Sequence, residues 1–423
     1  MPTLNRIVVA CAPAPHFNPG MHCVDLALDA VLRRHGIRPE LDRRVLYTPE
    51  ELHRRGIGGS PDGYGLPLAY RTFRQSPLAL AEADTILFWG DFLHSRHYRQ
   101  AVAVLMVRSG LEASPEAALQ YFDRNIFLAG LPPEVLERTV VFGSCLLTDL
   151  GVPEPDREYE SLLSRLLSAA RHVETRDALS AQRVADIRRS SGVSHLGVDC
   201  ALLLRPSECV ELAGLGIRTL EPERNRDIGV FFARTQENPA LLLGLAERIG
   251  KKVGAPLSWL PWFPAPAPTE EAARGRWPTL GEGTSAGSLS RSLGALLRCR
   301  AVVTDVYHLS VLAWNCGIPA VCVGRGASRF RTSVSDKKKE IFHLMYGIDR
   351  LYTFAEHLPI LVGQTGDGSP ASVPVGEDTK PPTLDEIAAA LCDLEWASTV
   401  QERIARQRQA AENRLVPALM AKS

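Results

Sequence analysis

The stretch CRAVVTDVYHLSVLAWNCGIPAVCVGR, residues 299–325, lays out a complete strand–helix–strand unit. AVVT at 301–304 is an apolar, β-branched run that reads as a buried strand, with Thr304 and Asp305 at its carboxyl end. A helix is expected over 309–316, His308 stands where it begins, and Gly317 is placed to end it as a C-cap. Ile318 and Pro319 then lead into a second strand at 320–323. Two strands joined by a helix, with no hairpin signal, indicate a parallel crossover. A histidine beside a helix N-terminus faces a crevice whose backbone N–H groups favour anions. It can give a proton to a leaving group or take one from a hydroxyl; the same side chain could instead simply pack the turn.

Outward from this unit, short apolar runs alternate with amphipathic stretches. Further strands are expected at 7–11, 85–89, 139–143, 173–175, 197–198 and 229–232, and helices at 24–35, 98–109, 158–170, 178–190, 239–253 and 289–297. Strands of this length separated by helices predict βαβ units and parallel sheets. The polar segment LEPERNRD at 220–227 separates two such series, so an N-terminal domain is expected over 1–222 and a C-terminal domain over 223–423. The Pro- and Trp-rich 259–282 and the polar 363–382 read as loops. The helical pattern returns over 384–419, a stretch suited to pack across domains or between subunits of a homo-oligomer. Two Rossmann-like halves followed by a C-terminal helix predict an α/β chain of GT-B-like layout, with ligands in the cleft near the carboxyl ends of the strands.

Bulk composition narrows the function. Lys plus Arg and Asp plus Glu each number 48, giving zero formal net charge, whereas a nucleic-acid binder carries a basic excess. No run approaches the roughly 18 apolar residues that a membrane helix needs. The nine cysteines are odd in number, lack CxxC spacing and lie mostly in apolar runs, which predicts free thiols in a reducing, cytoplasmic setting. No His or carboxylate pairs show ligand spacing at the strand ends, so neither a metal nor a cofactor is expected.

Several other residues are candidates for chemistry. Asp91 and His94 follow Trp89–Gly90 at a strand end, where either serves as a base for an acceptor hydroxyl or as packing. Arg176 beside Asp177 suits acceptor binding or pinning of a turn, and His16 and Asn18 flank the first strand-to-helix turn. GRGASRFR at 324–331 brings Arg325 and Arg329 to a strand end, where Gly-rich turns present N–H groups to phosphate. SDKKK at 335–339 opens a helix with Lys337 and Lys338 in its first turn, a place where cations oppose the helix dipole unless an anion joins them. A solvated charged face is the plainer reading. WLPWF at 259–263 suits either a sugar-stacking platform or a loop anchored by buried aromatics.

Taken in order, these elements resemble the polysaccharide pyruvyltransferase family. Its C-terminal signature runs strand, (S/T)-D-R-L-H, helix, G-I-P, strand, and TDVYH at 304–308 with GIP at 317–319 is similar to it. ILFWGDFL at 86–93, FGS at 142–144, TRDALS at 175–180, GVDCALLL at 197–204 and GVFFAR at 229–234 resemble its remaining strand ends in the same sequence. The resemblance implies a GT-B-like fold and transfer of a pyruvyl group from phosphoenolpyruvate to a sugar-containing acceptor. His308 then occupies the place of the acid that protonates the donor's methylene carbon. The donor's phosphate and carboxylate require cations, for which Arg234, Arg325, Arg329, Lys337 and Lys338 are candidates, with Tyr307 as a hydrogen-bond donor. This chain departs from the family at three places. Val306–Tyr307 stands where the signature has Arg–Leu, so a donor cation is missing; Asn18–Pro19–Gly20–Met21 followed by Asp25 replaces an NxGD-type turn; and paired glycines become Gly90–Asp91. Another arginine takes over the anion, or the donor differs, as in a glycosyltransferase using a nucleotide sugar, or only binding remains.

Overall fold

The structure, a computed structural model, describes residues 6–12, 17–58, 68–90, 92–147, 156–215, 227–235, 239–281, 288–325, 334–363 and 382–421, with the backbone alone at 334 and 335. The first sheet contains β1 (Arg6–Ala10), β2 (Glu40–Val45), β3 (Arg71–Thr72), β4 (Thr85–Trp89), β5 (Thr139–Ser144) and β6 (His172–Thr175), ordered β3-β2-β1-β4-β5-β6. The second contains β7 (Ile228–Phe231), β8 (Leu257–Trp259), β9 (Ala301–Thr304), β10 (Ala320–Gly324) and β11 (Tyr352–Phe354), ordered β11-β10-β9-β7-β8. Both sheets are parallel, with Val9 beside Leu87 in the first and Phe231 beside Thr304 in the second. Both orders belong to doubly wound α/β folds.

Parallel sheets are covered on both faces, so their strands read as unbroken apolar runs. Every residue of β4, β5, β9 and β10 is buried. β2 escapes the apolar pattern because it buries a charge: Arg44 donates to Asp42 at 2.6 Å and to the Thr72 carbonyl at 2.9 Å, linking β2 to β3. The expected strand at 197–198 is instead an isolated bridge between Thr175 and Leu196, and the expected loop at 259–282 starts with the end of β8 and includes the helix Ala267–Arg274.

The chain forms two compact units, Met1–Leu204 with Arg406–Ser423, and Arg205–Ala405. The expected boundary between 222 and 223 lies outside the described residues, as does nearly all of the loop expected at 363–382. In the first unit, Val8, Ile86, Phe88 and Val141 of the sheet pack with Met106, Phe122, Leu163 and Leu167 of the covering helices. The helical stretch from 384 divides into Leu384–Cys392 and Leu394–Met420. Its last turns dock onto the first unit through two buried carboxylates. Glu412 accepts from Arg34 at 2.7 Å, and Glu174 accepts from Arg414 at 2.5 and 3.1 Å. Ala411, Leu415 and Leu419 are fully buried beside them. Among the described residues no helix is long and apolar enough to cross a membrane.

Two glycines allow the strand ends of the first sheet to approach their neighbours. Gly90 and Gly143 both have φ of +71°; a Cβ would lie 2.8 Å from Val24 Cγ1 at Gly90 and 2.4 Å from Cys200 Sγ at Gly143. Gly143→Ala is therefore expected to destabilise the protein by about 2–4 kcal/mol, combining a left-handed backbone with overpacking. Gly130→Ala, with φ of +77° but nothing within 4 Å, isolates the backbone part and is expected to cost only about 1 kcal/mol. Urea unfolding of the two variants checks this; equal losses would mean that the contact with Cys200 is unimportant.

Candidate active site

In the second sheet the strand order reverses beside β7, which has β8 on one side and β9 on the other. Open α/β sheets bind ligands beyond the carboxyl ends of the strands at such a reversal. Asp305, directly after β9, is fully buried there. Its carboxylate accepts three consecutive backbone N–H groups from the turn after β7: Ala233 at 2.9 Å, Arg234 at 2.7 Å and Thr235 at 2.5 Å. Thr304 Oγ1 accepts the Val306 N–H at 3.0 Å, and the helix Tyr307–Asn315 begins immediately. Its far end closes as a Schellman turn, with Ile318 N–H donating to the Ala313 carbonyl and Gly317 N–H to that of Trp314, and Gly317 at φ +74°. The GIP exit is thus a stop signal, and it fixes the helix that carries His308.

His308 lies on the first turn and is 6% exposed. Its ring stands 5.1 Å from that of Tyr307. Phe342 meets the Tyr307 ring edge-on at 5.9 Å, and the Lys338 ammonium lies 4.8 Å from its centroid. Lys338 comes from the helix Val334–Tyr346, so the lysine run divides its labour. Lys339 is buried in a pair with Asp336 and donates to the Val323 carbonyl, both at 3.1 Å, while Lys337 is half-buried. Arg234 is half-buried with its guanidinium 5.2 Å from the Phe263 centroid, and Arg325 is exposed at the end of β10. Arg329 lies outside the described residues. Trp259, Trp262 and Phe263 are buried, so WLPWF is an aromatic anchor under Arg234 rather than an open platform.

In the first unit, Asn18 accepts the Gly20 N–H at 3.2 Å and caps the helix Pro19–Arg34. Arg176 is buried, donates to Asp199 at 3.2 Å and lies 4.8 Å from the Phe92 centroid. Asp199 also accepts the Ala201 N–H at 3.0 Å. Asp177 caps the helix Ala178–Arg188 through Ser180 N–H, and Ser180 Oγ accepts the Leu146 N–H at 2.8 Å. The TRDALS element therefore ties the ends of β5 and β6 to the turn at Asp199. Tyr70, unremarkable in the sequence, donates to Asp25 at 2.5 Å. His16 and Asp91 lie outside the described residues.

His94, a candidate base or packing residue, lies in the core. It has no exposed surface, lies against Phe88 and Phe127, and is within hydrogen-bonding distance of the Ile126 carbonyl at 3.2 Å and Ser144 Oγ at 3.4 Å. Burial pulls its pKa down to about 4, which favours the neutral imidazole. Asp305 is the residue that sequence reasoning passed over. Its signal was available: a carboxylate directly after a buried parallel strand needs donors, and neighbouring strand-end turns supply them.

The fold has counterparts among solved structures. A UDP-GlcNAc 2-epimerase from Neisseria meningitidis, bound to UDP-GlcNAc, is similar over 98% of this chain and 99% of its own, with 9% identity and a TM-score of 0.51. MnaA from S. aureus with UDP covers 98% and 95% at 11% identity and a TM-score of 0.46. Spinosyn rhamnosyltransferase SpnG complexed with thymidine diphosphate covers 98% and 100% at 13% identity and a TM-score of 0.44. At these identities the likeness is one of fold: α/β, GT-B-like, with two parallel sheets and a C-terminal helix. None of the curated proteins matches the sequence. The family model for polysaccharide pyruvyl transferase matches residues 26–326, more than half of the chain.

The buried histidines give the first unit a defined acid sensitivity. His22 and His94 are both held near pKa 4 by burial, below the ordinary value of 6.5. The unfolded chain takes up these protons first as pH falls, so the stability is complete above pH 6.5 and declines toward pH 4. Each histidine is expected to cost roughly 1.5 kcal/mol on going from pH 6.5 to 5. His94→Gln should remove about half of this pH dependence, read from urea midpoints at the two pH values. An unchanged slope would mean that His94 does not fold in its neutral form.

Proposed function

Because the chain belongs to the polysaccharide pyruvyl transferase family, and is thus a transferase, we propose that it moves the pyruvyl group of phosphoenolpyruvate onto a sugar-containing acceptor with His308 as the acid. The observation that carries this reading is the position of His308. It stands on the first turn of a helix at the strand-order reversal of the second unit, one residue from the ring that bears the Lys338 ammonium. The helix N-terminus favours anions, and Arg234, Arg325 and Lys338 supply positive charge from three neighbouring segments. The second unit takes the donor on this reading, and the first unit takes the acceptor, with Asn18 and Arg176 as its contacts.

The step balances without a cofactor or metal. His308, protonated, delivers a proton to the methylene carbon, which becomes the methyl group, and positive charge develops at the neighbouring carbon. An acceptor hydroxyl adds there, the bond from that carbon to the phosphate oxygen breaks, and a second hydroxyl closes the ketal. One hydroxyl proton returns to His308 and the other leaves on inorganic phosphate. Nothing in this sequence requires His94. The free buried thiols of the described core fit a reducing cytoplasmic setting, where this reading places the reaction.

A nucleotide sugar is the competing donor, since the Neisseria structure of the same fold holds UDP-GlcNAc. Calorimetry and thermal shift with phosphoenolpyruvate and with UDP separate the two. Phosphoenolpyruvate is expected to bind and raise the melting temperature. His308→Gln should retain that binding while phosphate release in the presence of acceptor glycans falls about 10²–10⁴-fold. Binding of UDP without binding of phosphoenolpyruvate would assign the chain to glycosyl transfer. Phosphate release unchanged in His308→Gln would remove His308 as the acid.

A further inference from the structure

We propose that Lys338, held on the face of Tyr307, replaces the cation missing at position 306 and grips the anionic end of the donor. This rests on the phosphoenolpyruvate reading above and identifies the residue on which donor affinity depends.

Two departures from the family signature sit side by side, and one arrangement accounts for both. Val306, where the signature has Arg, is apolar, 5% exposed and forms the N-cap of the helix that carries His308. It contributes neither charge nor a side-chain acceptor. Tyr307, where the signature has Leu, places a ring 6% exposed at the adjacent position. Phe342 holds that ring edge-on at 5.9 Å, leaving a face that takes the Lys338 ammonium at 4.8 Å. The charge lost from 306 thus reappears one residue along, delivered by another helix. A leucine at 307 could not hold it, because an aliphatic side chain has no quadrupole to attract a cation.

The adjacent Lys339 is placed differently. Lys339 is committed to Asp336 and to the Val323 carbonyl, an internal pair that satisfies its charge. Lys338 is 8% exposed and turns toward Tyr307, whose ring also lies against the His308 imidazole at 5.1 Å. The Tyr307 ring is therefore the common neighbour of the ammonium and the imidazole. Lys338 also lies near the start of the helix Val334–Tyr346, where a cation weakens rather than supports the helix. Helix stability gives no reason to have it there.

The test is phosphoenolpyruvate calorimetry on the full chain with four variants. Lys338→Ala is expected to weaken binding about 10- to 100-fold, the range for losing one charged contact. Tyr307→Leu, which restores the signature residue and leaves the charge count unchanged, should weaken it similarly, whereas Tyr307→Phe, which keeps the ring but not the hydroxyl, should lose less affinity than Tyr307→Leu. Val306→Arg in the Lys338→Ala background should restore affinity to within a few-fold of wild type. Rescue by a cation at 306 distinguishes donor binding from a structural role, because an arginine there cannot repair the packing of the other helix. Wild-type affinity in Lys338→Ala, or a loss that Val306→Arg leaves uncorrected, overturns the inference while leaving the donor assignment intact. Wild-type protein that takes up no phosphoenolpyruvate overturns both.

Discussion

Three consecutive backbone N–H groups, those of Ala233, Arg234 and Thr235, converge on the carboxylate of Asp305. A fully buried carboxylate is tolerated only with such donors, since the effective penalty for stranding one is several kcal/mol. A hydrogen bond to a charged group contributes about 1.5–3 kcal/mol, so three of them can offset it. The consequence is geometric as much as energetic. The end of β9 is tied to the turn after β7 at the point where the sheet reverses, and that tie sets the backbone from which Arg234 projects. Three residues beyond Asp305, His308 starts its helix from the same anchored segment. The turn after β7 forms an anion-binding nest, but the protein's own carboxylate fills it. On the proposed reading, donor charge is then met by side chains and by the helix N-terminus that carries His308.

The first unit solves the same problem in the same way. Asp199 joins Arg176 to the Ala201 backbone, and Asp177 joins Ser180 to the strand end at Leu146. Gly90 and Gly143 work sterically, since they remove the Cβ atoms that would strike Val24 and Cys200. Read physically, the short elements that carry the family resemblance are largely devices for holding strand ends at fixed separations. That is why each is weak alone and persuasive in order.

The legibility of the fold followed burial. β4, β5, β9 and β10 are buried along their whole length, and their apolar runs located them in the sequence. β2 was hidden because its interior face carries Arg44 and Asp42, and no hydropathy pattern distinguishes a buried ion pair from an exposed one. β3, only two residues long, and β8, set among prolines and tryptophans, leave no periodicity to count. For the site, the sequence located the strand end but not the direction of each side chain. His94 and His308 both follow a strand, yet one turns inward against Phe88 and Phe127 while the other sits beside Tyr307 on a helix start. Direction depends on tertiary packing, which no local pattern contains.

The site's parts also differ in how far they can move through evolution without loss of function. A hydrogen bond weakens steeply as its angle departs from linearity, so Asp305 must keep its position to meet its three donors. Proton delivery likewise demands that the imidazole lie within hydrogen-bond reach of the substrate. Holding a donor's net charge is less exacting, because Coulomb attraction depends on distance and surroundings rather than on one bond direction. A lysine presents that charge as a point, where an arginine presents a planar fork. The cation is therefore the element free to change helices, provided that something holds the new ammonium in place. On the proposed reading the aromatic face of Tyr307, 4.8 Å from the Lys338 ammonium, supplies that hold. On the same reading the constraint passes from position 306 to the pair 307 and 338, and the two are expected to vary together.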